Sequence, residues 1–266
     1  MGFKKLGTIL CTVILILSLS GCGSQVTMGN TVTFKDKNLE QAIRQQANKS
    51  KGDINKSDVK SINSLSLKVQ KITDISGIEN LANLQTLDLS ANQISDIGSL
   101  KGLTNLQIIN LGNNKINDIN ALKGLVNAQI LFLSDNQIND ISSLQGLTNV
   151  QNIYLGNNKI KDINALKGLS NLQWLFLSDN QISDISALKG LTKLDNLDLR
   201  NNKISDVSVL KGLTNLKQLD LRNNQIKDIN ALKNLTNLQR IGLSDNKISD
   251  ADKQALQNAL PECNIY

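Results

Sequence analysis

Asn92, Asn114, Asn136, Asn158, Asn180, Asn202, Asn224 and Asn246 recur every 22 residues without slippage, and no other feature of the chain constrains its fold as strongly. A fixed period of this length marks a solenoid, in which one repeat cannot bury its apolar face alone and stacked repeats share a continuous core. The apolar positions keep the same register, as in Leu84, Leu87, Leu89, Ile94, Ile97, Leu100 and Leu103 around Asn92. The alternating pair Leu87 and Leu89 reads as a short strand with both leucines inward, and successive copies stack into a parallel sheet. Gln70 stands one period before Asn92 with Leu65, Leu67 and Ile72 in place, so it counts as a degenerate first turn and brings the total to about nine turns over residues 63–246. At about 4.8 Å per turn the sheet is roughly 40 Å long.

This frame resembles the leucine-rich repeat. The expected fold is an α/β solenoid with a parallel concave β-sheet and short 3-10 or irregular turns on the convex side. Two polar columns accompany the apolar one. The asparagines read as inward amides that satisfy backbone groups otherwise buried unpaired at each bend, rather than as a ligand site. The second column, Asp74, Asp96, Asp118, Asp140, Asp162, Asp184, Asp206, Asp228 and Asp250, offers two readings. A carboxylate at the start of a short helical turn accepts its free N–H groups, and a column of carboxylates is also the shape of a row of calcium sites. The capping reading is preferred, and no metal or other cofactor is expected.

An open solenoid exposes its core at both ends, so the flanking segments must depart from the repeat. Residues 34–62 carry two helical stretches, Leu39 to Ala47 with Ala42, Ile43 and Ala47 as the apolar stripe, and Lys56 to Ile62 opened by Asn55. This segment, with Val32, Phe34, Leu39, Ile43, Gly52, Asp53 and Ile54, resembles the N-terminal cap of internalin-type proteins. In residues 247–266 a helix opening at Asp250 or Ala251 runs through Ala255, Leu256 and Ala259 to Pro261, and Cys263 to Ile265 forms a last extended piece that closes the sheet edge. The resemblance to bacterial internalin-like proteins covers about residues 32–266, and it implies binding without naming a ligand.

The first residues set the expected compartment. Lys4 and Lys5 precede an apolar run from Leu6 to Leu19, followed at once by Ser20, Gly21 and Cys22, which is a secretion signal too short for a retained transmembrane helix. Leu19, Ser20, Gly21 and Cys22 resemble the lipobox of bacterial lipoproteins, which implies removal of residues 1–21 and a diacylated Cys22 anchoring the chain to the outer face of the cell membrane. In the alternative reading, Cys22 is an ordinary small residue after a secretory cleavage site. Residues 22–33 then form a tether whose roughly 12 residues span at most about 40 Å. Nothing after Tyr266 reads as a wall-sorting tail, unlike typical wall-attached internalins, so the partner is expected close to the membrane. With Cys11 removed and Cys22 acylated, Cys263 has no intramolecular partner and no disulfide framework is expected.

The chain has no histidine, which removes the usual general base and the commonest zinc ligand together. Its formal charge of +6, or +4 without Lys4 and Lys5, is spread among interspersed acids, so nucleic acid is not an expected partner.

The residues six, four and two before each asparagine face out of the concave sheet. The sixth column reads Ser64, Thr86, Ile108, Ile130, Asn152, Trp174, Asn196, Gln218, Arg240, and the fourth reads Ser66, Asp88, Asn110, Phe132, Tyr154, Phe176, Asp198, Asp220, Gly242. The chain has one tryptophan, two tyrosines and four phenylalanines, and Phe132, Tyr154, Trp174 and Phe176 all fall on this face within three adjacent turns. Contiguous exposed aromatics usually mark an interaction site, and aromatics and arginine are the usual hot spots. Ile108 and Ile130 extend the strip, while Asp198, Arg200, Asp220, Arg222 and Arg240 form a charged zone. The competing reading takes the aromatics as sheet-favouring residues that stack across strands and the charges as pairs across neighbouring strands.

These residues point to binding a protein or peptide, either on a host cell or within the envelope. An envelope glycan is the alternative ligand, since aromatic faces with Asn, Asp and Arg also suit sugars. An enzyme would need Asp198 and Asp220 as a carboxylate pair like that of a retaining glycosidase, and an open sheet offers no burial to raise the pKa of an acid; the chain is read as non-catalytic.

Overall fold

The computed structural model describes residues 30–266; the expected signal segment and Cys22 lie outside the described residues. The repeats build one parallel sheet in chain order, from β3 (Ser64–Ser66) through β4 (Thr86–Asp88), β5 (Ile108–Asn110), β6 (Ile130–Phe132), β7 (Asn152–Tyr154), β8 (Trp174–Phe176), β9 (Asn196–Asp198) and β10 (Gln218–Asp220) to β11 (Arg240–Gly242) and β12 (Asn264–Ile265). Pairing follows the 22-residue period, so Leu87 lies between Leu65 and Ile109, and Leu131 faces Ile153. Each strand from β3 to β11 is three residues long. The inward Leu87 and Leu89 meet Ile94, Ile97, Leu100, Leu103 and Leu106 from the rest of the turn, all of them buried. Each such side chain contributes about 1.5–3 kcal/mol, and much of that depends on the turns above and below.

The asparagine column does what its spacing predicts. The Asn92 amide nitrogen donates to the carbonyls of Leu67 and Leu89 at 2.8 and 2.9 Å, while its oxygen accepts the N–H groups of Gln70 and Ile72, both at 3.0 Å. Each side chain therefore bonds its own turn and the preceding one. Gln70, at the degenerate first position, is exposed instead, and Asn38 of the cap bonds its carbonyl at 2.8 Å.

Short 3-10 turns, such as Gly98–Leu100, Asn120–Leu122 and Ser186–Leu188, make the convex side. The aspartate column caps them: Asp96, Asp118 and Asp140 accept the N–H two residues on at 2.7 Å. The Ser186 and Ser208 amides hold the carboxyls of Asp184 and Asp206 below the usual range. The ninth member, Asp250, lies instead in the first turn of a helix whose N-cap is Ser249. A further ladder was not anticipated. Asn105, Asn127, Asn149 and Asn171 each donate to a carbonyl of the preceding turn at 2.8–2.9 Å on an exposed edge.

Thr31–Val32 (β1) pairs antiparallel with Ile54–Asn55 (β2), which joins Thr31 to the cap-like segment that already included Val32. Helix α1 spans Lys37–Gln46 with Asp36 as N-cap and buries Leu39 and Ile43, while α2 is a single turn, Lys56–Val59, shorter than the stretch to Ile62. Gly77 (φ +105°) gives the cap its seat: a Cβ there would lie 2.5 Å from the Thr33 carbonyl and 2.6 Å from the Phe34 ring. At the other end α3 (Asp250–Ala259) stops before Pro261, and β12 pairs with β11 as the expected closing strand. No helix among the described residues is long and apolar enough to cross a membrane.

Candidate functional site

The sheet pleat turns the two outer residues of each strand onto the concave face, and the in-register stack converts one residue per turn into a column running along the solenoid. Tyr154 is paired with Phe132 on one side and Phe176 on the other in the ladder. Their rings stack at 4.5 and 4.8 Å between centroids, with planes 18° and 6° apart. Tyr154 is sandwiched between the two phenylalanines, and the three rings form a continuous ridge. Burial among its neighbours raises the pKa of Tyr154. Trp174, on the strand of Phe176, stands beside the ridge at 42% exposure, and Ile108 and Ile130 are half-buried in the column it shares with them. Beyond the ridge the outward column two before the asparagine is small, with Ser134, Gly156 and Ser178. A Cβ on Gly156 would approach the Ser178 hydroxyl to 2.9 Å.

The charged zone follows directly, since Phe176 is paired with Asp198 and Asp198 with Asp220. Its arginine–aspartate pairs form within a turn, while Lys217 and Asp195 at its edge pair between turns at 2.9 Å. Arg222 Nε donates to both Asp220 oxygens at 2.9 and 3.0 Å, which pushes the guanidinium pKa upward. Arg200 Nε lies 3.5 Å from Asp198 Oδ2. Each aspartate also accepts the N–H of its arginine at 3.1 Å. Contrary to the expectation that an open sheet offers no burial, Asp198 is 8% exposed; burial, the largest influence, raises its pKa against the Arg200 amide and guanidinium, and nearby Asp220 adds to the rise. Both carboxylates of the conceivable glycosidase pair are thus committed to arginine and backbone. Arg240 is exposed at the end of the sixth column.

The chain matches the leucine-rich-repeat family over residues 60–101, 82–124, 129–168, 170–212 and 214–258. Internalin C2 of Listeria monocytogenes is 37% identical with a TM-score of 0.77, over 80% of this chain and 97% of that one. The chain belongs to the internalin-like leucine-rich-repeat proteins. A leucine-rich-repeat protein of Leptospira interrogans is 27% identical to this internalin-like chain with a TM-score of 0.70, over 79% of it and 62% of the other. The ectodomain of the Arabidopsis thaliana receptor kinase GASSHO1/SCHENGEN3, solved in complex with Casparian Strip Integrity Factor 2, is 26% identical with a TM-score of 0.56, over 70% of this chain and 27% of that one. No curated protein sequence matches.

Three features of this internalin-like face were not read from the sequence. Tyr266 extends the aromatic inventory, since β12 carries it beside Gly242 and the Arg222 guanidinium lies 5.4 Å from its ring centre. Its signal was the likeness of Asn264-Ile265-Tyr266 to Arg240-Ile241-Gly242. Gly242 leaves the space that Arg222 fills, because a Cβ there would meet Arg222 Cγ at 3.0 Å. The third is the rim column just before each asparagine, including Asn113, Asp135, Asn157, Asp179, Asn201 and Asn223, which all adopt positive φ.

Proposed function

We propose that the chain is a non-catalytic surface lipoprotein, anchored through Cys22 to the outer face of the cell membrane, that binds a protein or peptide partner with its concave face. One observation carries the binding reading. Across the copies of one turn, the aspartate column keeps a single residue type, while the sixth column before the asparagine changes at nearly every turn, from Ser64 and Ile108 through Trp174 to Arg240. Framework demands are identical from turn to turn and do not call for that variety, which suits a partner that differs along its length. The variable columns also place Phe132, Tyr154, Trp174 and Phe176 together on an exposed surface, the composition of an interface centre.

The stacked geometry favours a polypeptide over a glycan. Sugars stack on ring faces, and in the ridge both faces of Tyr154 and one face each of Phe132 and Phe176 are occupied by neighbouring rings. Ring edges flanked by small side chains offer apolar contact to a chain laid along the solenoid. That both Asp198 and Asp220 are engaged by arginine supports the absence of catalysis.

The test compares capture from envelope extracts and from host-cell surface extracts by soluble residues 23–266 and by the same protein with Phe132, Tyr154, Trp174 and Phe176 changed to Ala. A partner retained by the first and lost by a still-folded second is expected, and equal retention moves the site off the concave face. Mass spectrometry of the mature N-terminus decides the anchor, and an unmodified Cys22 refutes it.

A further inference from the structure

The positive balance of the chain is concentrated at one end. Residues 30–62 hold seven lysines and arginines against four acids, whereas residues 63–266 hold 20 against 19. Within the repeats acid and base alternate, as where Asp96, Lys101, Asp118 and Lys123 line one groove of the convex side. The first turn likewise offsets Lys68 and Lys71 with Asp74 and Glu79.

Most of the cap's acids are already engaged. Glu40 pairs with Arg44 at 2.8 Å and Asp58 with Lys49 at 3.1 Å. Asp36 caps α1 and also accepts the Thr73 N–H at 2.9 Å. Lys37, Lys51, Lys56 and Lys60 are exposed and make no ion pair among the described residues, and of the cap's acids only Asp53 is left exposed beside them. Lys35 reaches Asp74 of the first turn at 3.8 Å.

These lysines also face away from the solenoid. Leu39 and Ile43 of α1 turn into the core, so the helical period puts Lys37, Gln41 and Gln45 on the opposite face. A hollow beside them is lined by Gln41, Arg44, Gln45, Asn48, Lys49 and Ser50, with no acid among these lining residues. Lys56 and Lys60 stand one helical turn apart while Val59 between them is buried. The Lys56 N–H donates to the Asn30 carbonyl at 2.8 Å, which sets this pair where the chain enters the cap from the side of Cys22.

We infer that the outward face of the N-terminal cap lies against the anionic phospholipid surface that holds Cys22, with Lys37, Lys51, Lys56 and Lys60 at the headgroup phosphates. This rests on the reading of Cys22 as a lipid anchor. The eight residues from Gly23 to Asn30 span at most about 28 Å, against a screening length of about 8 Å at physiological ionic strength. An anchor alone therefore leaves the cap free to stand beyond the reach of surface charge, and basic residues brought to the headgroups hold it down. Since two acyl chains already retain a protein on a membrane, the lysines serve to orient this one, end-on and with the concave face clear of the lipid.

The test sediments soluble residues 23–266 with vesicles of phosphatidylcholine alone or of roughly one part phosphatidylglycerol to two of phosphatidylcholine. Binding is expected to the anionic vesicles only and to fall as ionic strength rises. The Lys37→Gln/Lys51→Gln/Lys56→Gln/Lys60→Gln variant should lose about 10-fold or more of its partitioning, while changing the same four positions to Arg should preserve it. A Lys101→Gln/Lys123→Gln/Lys167→Gln/Lys189→Gln variant removes as much charge from the repeats and should stay within about 3-fold of the parent. Equal binding to both vesicle types, no binding to the anionic ones, loss in the arginine variant, or equal losses in the cap and repeat variants each overturn the inference. Because the protein tested lacks Cys22, the two levels separate: an unmodified Cys22 in the mature chain removes the anchor whatever the vesicles show, and a failure with vesicles removes the cap contact whatever the state of Cys22.

Discussion

Removing the buried amide of Asn158 should cost far more than removing an exposed amide that makes a bond of the same length. Asn158 Oδ1 accepts the Ile138 N–H at 2.9 Å, and Nδ2 donates to the carbonyls of Leu133 and Leu155, both at 3.0 Å. Leu133 and Ile138 belong to the preceding turn, so the side chain ties two turns together. Asn158→Ala leaves a buried N–H and two carbonyls without this partner. At about 1–3 kcal/mol for each buried group left unsatisfied, partly relieved by water entering the gap, the cost is about 3–5 kcal/mol. Asn149 makes one comparable bond, to the Val126 carbonyl at 2.9 Å, on the exposed edge. Water replaces it there, and Asn149→Ala should cost about 0.5 kcal/mol. Urea unfolding followed by far-ultraviolet dichroism measures both. Because solenoid stability is a sum of nearest-neighbour contacts, Asn158→Ala should also broaden the transition as the two halves uncouple. Costs within about 1 kcal/mol of each other would refute the assignment of the inward column as the inter-turn clamp.

Val69 is a β-branched residue at φ +61° and 63% exposed, a conformation that costs an L-residue about 1–2 kcal/mol; Val69→Asn should raise the urea midpoint by the equivalent of about 0.5–1 kcal/mol, and an unchanged midpoint would show that no strain resides there. Gly77→Ala should destabilise the N-terminal cap by about 2 kcal/mol or more, read as earlier proteolysis of residues 30–62 than in the parent; equal protease resistance would contradict the seat described for Phe34. Burial, the largest influence on Asp36, raises its pKa, but the amides of Thr73, Leu39, Asn38 and Asp74 together bring it below the ordinary value. A lowered folded pKa stabilises above the unfolded value of about 3.9 and loses that stability as pH falls through the folded value. Asp36→Asn should therefore lose less stability between pH 7 and pH 3 than the parent, and parallel losses would remove Asp36 from the acid response.

The period alone made the repeat legible, because each of its residues answers a constraint that recurs every turn. Asn92 and Asp96 could be assigned as inward amide and cap from spacing. The concave columns follow from strand alternation, which puts Phe132, Tyr154 and Phe176 together. What escaped depends on side-chain direction or on chain that does not repeat. Arg222 could pair across strands or along its own, and the choice is made by the missing Cβ of Gly242 and the ring of Tyr266. Thr31–Val32 is too short to read as a strand without its partner Ile54–Asn55. Asn105 and its equivalents lie in a segment where Thr and Asn look like ordinary loop composition, and only their carbonyl partners one turn back reveal a ladder.

The two zones of the concave face differ in kind yet share one physical property. Passing from the turn of Asn180 to that of Asn202, Gln173 gives way to Asp195, Trp174 to Asn196, Phe176 to Asp198 and Ser178 to Arg200, while the inward Leu175, Leu177, Leu197 and Leu199 stay the same. The boundary between the apolar and the charged zone thus falls at a single turn. Part of each zone is also held within the free protein, Phe132, Tyr154 and Phe176 by ring stacking and Arg200 and Arg222 by the aspartates of their own turns. Ordering side chains on association costs about 0.5–1.5 kcal/mol for each rotamer-rich group, and for these side chains much of that cost is already met within the free protein. A rigid face of this kind selects a partner by shape and charge and has little capacity to mould itself to a different one.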